Sequence, residues 1–89
     1  MNFVYVLKCN NGKYYTGITY SLKKRLSEHC SGKGSLFTKA HLPVKLMYFE
    51  SFLSRKEAAL REKVIKDMSR KKKLELFSKF TSSESEMRW

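Results

Sequence analysis

Five side chains of this sequence are of kinds that carry protons, hold anions or hold cations, and their spacing groups them. Tyr5 and Tyr15 stand ten positions apart on two successive strand-like runs. Arg25 and His29 are spaced i, i+4, which puts both on one face of a helix. Glu62 lies in Ala59-Leu60-Arg61-Glu62-Lys63-Val64-Ile65-Lys66, where a helical wheel sets it at the border of the apolar stripe, beside Ala58 and Ile65. A carboxylate there can turn into a cleft. As side-chain types, an imidazole of pKa about 6.5 passes protons at neutral pH, a guanidinium fork grips phosphate or carboxylate, and a lone carboxylate suits a hard cation. Each residue also has a plainer reading. The tyrosines could be ordinary sheet aromatics, Arg25 and His29 a solvated helix face, and Glu62 an i, i+4 partner of Lys66 worth a few tenths of a kcal/mol. Two other chemistries are set aside. Gly32 and Gly34 make neither phosphate-loop pattern, and Cys30 beside His29 points about 100° away from it on a helix.

The charge narrows the partner. Nineteen Lys and Arg face eight Asp and Glu, a net +11 among 89 residues. Such a chain is suited to meet a polyanion, and nucleic acid is the first candidate because each neutralised phosphate releases counterions. No stretch joins a strong apolar face to a basic one, so a membrane surface is not expected. Neither is a spanning helix or a secretion signal, since no apolar run approaches eighteen residues. Two cysteines, Cys9 and Cys30, read as reduced thiols of a cytoplasmic protein. No small-molecule cofactor is suggested, and a monomer is expected.

Around these side chains the pattern predicts one small α+β domain, a three-stranded antiparallel sheet covered by helices in the order β-β-α-β-α-α. Residues 3–9 are apolar on both alternating faces, as a central strand would be. Asn10 to Lys13 turn into a second strand, Tyr14 to Thr19. Ser21 caps a helix reaching about Ser31 with Leu22 and Leu26 inward, and Ser31-Gly32-Lys33-Gly34-Ser35 is read as a flexible basic loop. Pro43 precedes a third strand, Val44 to Phe49. Ser54 and Glu57 make a capping box for a helix from Arg55 to about Met68, its inner face expected on Ala58, Leu60, Val64, Ile65 and Met68. Ser69 caps a last helix ending at Phe77. Residues 78–89 turn polar and are expected to be a disordered tail; with two bases and two acids they add nothing to the net charge.

At this point the sequence resembles the GIY-YIG nuclease superfamily, above all its short stand-alone bacterial members of unassigned role. The two signatures read Phe3-Val4-Tyr5 and Tyr15-Thr16-Gly17, with the family's spacing between tyrosines. Leu22-Lys23-Lys24-Arg25-Leu26-Ser27-Glu28-His29 is similar to the family's arginine helix, and Phe37-Thr38-Lys39 through Pro43-Val44 to the loop that follows. Two departures stand out. Phe3 and Val4 replace the glycine and isoleucine of the first signature, and Leu74 falls near an asparagine carried by members that excise damaged DNA.

The resemblance implies a metal-dependent endonuclease, acting on DNA more readily than on RNA, with one Mg²⁺ or Mn²⁺ ion on Glu62. Arg25 would hold the scissile phosphate, Tyr5 accept a proton as phenolate, Tyr15 orient it, and His29 share that work. Lys23, Lys24, Lys33 and Lys39 would line a phosphate track. Two rivals remain: a binding module that keeps the fold without activity, with a protein partner for targeting, and a basic ribonucleoprotein accessory that needs only the charge.

A single site also demands a particular register. A two-residue turn at Asn11-Gly12 pairs Tyr5 with Ile18 and sends the two phenols to opposite faces of the sheet. A three-residue turn, Asn10-Asn11-Gly12, pairs Tyr5 with Gly17 and keeps both phenols on one face, with Gly12 left-handed in a bulge. Local propensity slightly favours the first. The chemistry requires the second, with both phenols toward the first helix.

Overall fold

A computed structural model describes residues 1–34, 39–42 and 44–79. The elements are β1 (Asn2–Lys8), β2 (Tyr14–Thr19), α1 (Leu22–Cys30), β3 (Lys45–Phe52), α2 (Arg55–Asp67) and α3 (Arg70–Phe77). The strands form one antiparallel sheet in the order β2-β1-β3. The fold is therefore the expected α+β arrangement, with β1 in the middle.

The central position explains the continuous apolar run of β1, because both of its faces are covered. Val4 and Val6 point to one side and pack with Ala58 and Ile65 of α2 and Phe77 of α3. Tyr5 and Leu7 point to the other and pack with Leu22 and Leu26 of α1 and Leu46 of β3. The sheet thus separates α1 from α2 and α3.

The first turn takes the longer register. Tyr5 pairs with Gly17 and Leu7 with Tyr15. The Gly12 amide donates to the Cys9 carbonyl at 2.9 Å, the Cys9 amide donates to Lys13 at 2.9 Å, and Gly12 has φ +81°. An asparagine side chain helps decide it, since Asn11 Oδ1 accepts from the Lys13 amide at 3.1 Å.

All three expected helix caps form. Ser21, Ser54 and Ser69 accept from the amides of Lys24, Glu57 and Lys72. The end of α1, where a flexible basic loop is expected from Ser31, is capped. Gly32 at φ +83° lets its amide reach the His29 carbonyl while Lys33 reaches Glu28, a Schellman cap that fixes residues 31–34. Strand β3 runs three residues further than expected, because β1 already begins at Asn2 and pairs with Phe52. A bulge opposite Val6 and Leu7 skips Met47, so Met47 and Tyr48 both pack on the Val4 side.

The inner face of α2 needs correction. Leu60 and Val64 are exposed, at 59% and 49%. Ala58 and Ile65, seven residues and two turns apart, are the buried pair. From that axis Leu60 and Val64 lie roughly 150° and roughly 110° away at 100° per residue, while Glu62 lies about 50° from it. Polar Glu62 thus faces inward where two apolar residues do not. Cys9 is buried and Cys30 exposed, both as free thiols. No helix among the described residues is long and apolar enough to cross a membrane. From residue 80 the expected tail lies outside the described residues, as do Pro43 and residues 35–38.

Candidate active site

The α1 face of the sheet carries a compact group of rings. Tyr5 projects from the middle of β1 and Tyr15 from its diagonal position on β2, while His29 completes the Leu22, Leu26, His29 stripe of α1. Ring centroids lie 6.4 Å apart for Tyr5 and Tyr15, 5.7 Å for Tyr5 and His29, and 5.2 Å for Tyr15 and His29. The Tyr5 hydroxyl and His29 Nε2 are 2.9 Å apart, within a buried hydrogen bond.

Two glycines make room for this group. A Cβ on Gly17 would stand 2.5 Å from the Tyr5 hydroxyl oxygen, and one on Gly34 would run into the His29 ring. Gly34 comes back over His29 because the Schellman cap turns the chain there. Its role has no counterpart in the sequence reading; the one available signal was a second glycine two residues beyond the capping glycine.

Burial sets the protonation states. It pushes the Tyr5 phenol up to about 12, opposed by hydrogen bonding from Arg25 and reinforced by Tyr15; the more distant field of Glu62 also raises it. Burial lowers His29 to about 4, Arg25 adds to that and Glu28 works against it. His29 is therefore neutral and Tyr5 protonated at neutral pH. With the neutral imidazole protonated on Nδ1, His29 Nε2 can accept the Tyr5 proton across this 2.9 Å contact. Arg25 also pairs with Glu28 at 3.5 Å across one turn, with both side chains about one-third exposed, a contact of small energetic weight.

A pH effect follows from the buried imidazole. The unfolded chain takes up this proton near pH 6.5 and the folded chain only near 4. The contribution is complete above about 6.5 and is lost as pH falls toward 4, at about 1.4 kcal/mol per pH unit. Tyr5, Tyr15, Arg25 and Glu28 are the groups facing it. The thermal midpoint should therefore drop between pH 6.5 and 4.5, more steeply than in His29→Gln. Equal slopes in the two proteins would contradict it.

Glu62 enters from the other layer. It belongs to α2, on the Val4 side of the sheet, and meets Tyr15 at the open edge of β2. A cleft of about 420 Å³ there is lined by Tyr14, Tyr15, Thr16, Glu62, Lys66 and Lys73. Glu62 is about one-quarter exposed and pairs with Lys66 at 3.3 Å, so the plainer reading of this residue is also present. Among the described residues no group of three His, Cys, Asp or Glu side chains could enclose a metal. One carboxylate facing a cleft fits a hydrated Mg²⁺ or Mn²⁺ completed by substrate oxygens, and does not fit a closed structural ion.

The expected lysines divide. Lys23, Lys24 and Lys33 line one groove of about 550 Å³ along the outer side of α1, with Ser21, Ser27 and Glu28. Lys39 is exposed and is not part of that lining. Arg61, on α2, donates to Glu50 at 2.9 Å, and Tyr48 donates to the same carboxylate oxygen. This half-buried trio ties α2 to β3 on the Val4 side, opposite the phenols.

A central strand with one phenol, an edge strand with a second, and an arginine helix laid over both define a compact α+β domain. Residues 1–75 match the family model described as the GIY-YIG catalytic domain, and the chain belongs to the GIY-YIG family. It is 47% identical over 78 residues to the UPF0213 protein CPE1444 of Clostridium perfringens, covering 88% of this chain and 84% of that one. It is 46% identical over 77 residues to the UPF0213 protein VNG_2274C of Halobacterium salinarum, covering 86% of this chain and all of the other. The solution structure of the UPF0213 protein BH0048 of Bacillus halodurans superposes with a TM-score of 0.62 at 38% identity, over 96% of this chain and 93% of that one. EF2693 of E. faecalis gives 0.60 at 36% identity, over 89% and 84%. The family is that of a nuclease domain; the names of these relatives state no activity.

Proposed function

We propose that this protein hydrolyses phosphodiester bonds of nucleic acid, with DNA favoured, using residues 1–77 as its catalytic domain. One observation carries the reading: the Tyr5 hydroxyl is held 2.9 Å from a buried, neutral His29. With Arg25 acting on the same phenol, Tyr5 has a proton donor on one side and an acceptor on the other.

A phenol held near 12 is a poor resting phenolate, so the proton moves by relay. As water attacks phosphorus, its proton passes to the Tyr5 oxygen while the Tyr5 proton passes to His29 Nε2. One P–O bond forms to the water oxygen, one ester P–O bond breaks, and the departing oxygen takes a proton from solvent. Charge gathering on the phosphate oxygens favours the imidazolium that results. Arg25 orients the phosphate with its fork and offsets that charge. Tyr15 packs against His29 and keeps both rings in register. Glu62 would hold one Mg²⁺ or Mn²⁺, which supplies charge neutralisation at the phosphoryl oxygens when bound. Lys23, Lys24, Lys33 and Lys39 add phosphate contacts, and a targeting partner would supply selectivity.

The test is cleavage of labelled single-stranded, double-stranded and branched DNA and RNA, with Mg²⁺, Mn²⁺ or EDTA. Metal-dependent cutting of at least one form is expected, with Glu62→Gln and Arg25→Ala each slower by about 10²-fold or more. Binding without cleavage by the unaltered protein would replace this reading with a binding module that retains the fold.

A further inference from the structure

The +11 charge is only partly accounted for by the α1 groove. The longest run of the remaining basic residues opens α3, whose first residues are Arg70, Lys71, Lys72 and Lys73. Local physics disfavours this placement. The N-terminal turn of a helix carries the positive end of the peptide dipole and attracts acids, yet the first turn of α3 holds none.

Two of these cations are positioned relative to the site. The Arg70 guanidinium lies 5.4 Å from the centre of the Tyr14 ring, which in turn packs on the buried Phe77, 5.1 Å away. Lys73 stands one turn further along α3, is half-buried, and lines the cleft that also holds Tyr15 and Glu62. Among the described residues it has no ion-pair partner, unlike Lys66, which opposes it in the same cleft and is tied to Glu62. A partly desolvated ammonium without an anion is unfavourable. A phosphate would relieve it.

We propose that Lys73 and Lys66 form a second phosphate subsite, on the far side of Tyr15 from Lys23, Lys24 and Lys33. The proposal rests on the nuclease reading above and extends it to the path of the substrate. The α1 groove lies on one face of the sheet and the α3 cations on the other, and the two meet at the open edge of β2. One nucleic-acid strand therefore crosses that edge, with the phosphate at Arg25 flanked by lysine contacts on both sides. Binding through backbone phosphates positions the strand without reading its bases.

The experiment is the salt dependence of binding of the full chain to a labelled duplex, by fluorescence anisotropy in EDTA so that no bond is cut. Removing one lysine–phosphate pairing should flatten the plot of log K against log salt by about 0.9. Lys73→Met is expected to flatten it by about that amount, Lys66→Met by up to as much, and the double variant by the sum. Methionine keeps the aliphatic stem, Lys73→Arg should restore the slope, and thermal midpoints verify folding. Lys56→Met, an exposed lysine outside both lining sets, should leave the slope unchanged. A slope unaltered in Lys73→Met, or lowered equally in Lys56→Met, would overturn the subsite and leave the nuclease reading intact. No binding by the unaltered chain to this duplex, nor to single-stranded or branched DNA or RNA in the same assay, would remove nucleic acid itself and the proposed function with it.

Discussion

Tyr5→Phe should slow phosphodiester cleavage by about 10²–10⁴-fold, the usual worth of a positioned proton-transfer group. The variant removes one oxygen from a ring that otherwise stays between Gly17 and the α1 side chains. Binding should hold, because Arg25 and the lysine groove are untouched. Stability should fall by about 1–3 kcal/mol, because His29 Nε2 loses the hydroxyl that lies 2.9 Å away and remains buried. Single-turnover rates at saturating protein separate these effects from weakened binding. A rate within about threefold of the parent would mean that the phenol is a sheet aromatic and that the proton goes elsewhere. His29→Gln refines the outcome. Glutamine keeps polar atoms near the phenol but cannot take up a proton at neutral pH, so a positioning role alone would leave the rate largely intact.

Most of the scaffold was legible because local chemistry and global packing agree. Three serines three residues before a helical amide marked three caps, and the two-faced apolar run of residues 3–9 marked the middle strand, found at Asn2–Lys8. The turn after β1 was decided differently. Asn-Gly alone leans toward two residues, and only the demand that both phenols share a face selected the bulged form seen at Gly12. Where the reading erred, it weighted apolarity over angle. Leu60 and Val64 looked like core but sit on the outer side of α2, while Ala58 and Ile65 face inward with Glu62 nearby. The seven-residue spacing carried that information; hydrophobicity did not.

The candidate site was legible in the residues proposed for it and obscure in its assembly. Tyr5, Tyr15, Arg25 and His29 come together on the α1 face, as strand parity and the i, i+4 spacing imply. Nothing in the sequence says that Glu62 arrives from the opposite layer and meets Tyr15 around the edge of β2. Nor does it say that Gly34 folds back onto His29. Both depend on long-range packing between elements more than twenty residues apart or on a cap that reverses the chain. Lys66 was read only as a partner of Glu62 and Lys73 only as part of a basic helix start, for the same reason: it is α2 and α3 side by side that bring them to one cleft.

Gly17→Ala should be as damaging as removing the phenol, although it adds a single methyl. Gly17 does not have a positive φ, so its backbone would accept alanine, and glycine within a strand is ordinarily worse than alanine by roughly 0.5–1 kcal/mol. Space decides the sign. The added carbon would lie 2.5 Å from the Tyr5 oxygen, 2.6 Å from Cζ and 3.1 Å from Cε1. The ring is 1% exposed and backed by Leu22 and Leu26, so it can yield only by disturbing the α1 contact. Overpacking of this kind costs about 1–3 kcal/mol, a drop in thermal midpoint of roughly 5–15 °C for a domain of this size. Moving the hydroxyl by an ångström should also cost on the order of 10²-fold in rate. Tyr5→Leu in the same chain removes the atoms that collide, and in that background Gly17→Ala should become neutral or stabilising, as strand preference alone would have it. That reversal of sign, read from thermal midpoints of the four proteins, is the signature of a glycine kept for the ring above it. If Gly17→Ala stabilises the unaltered chain, Tyr5 is not held where the proton relay needs it.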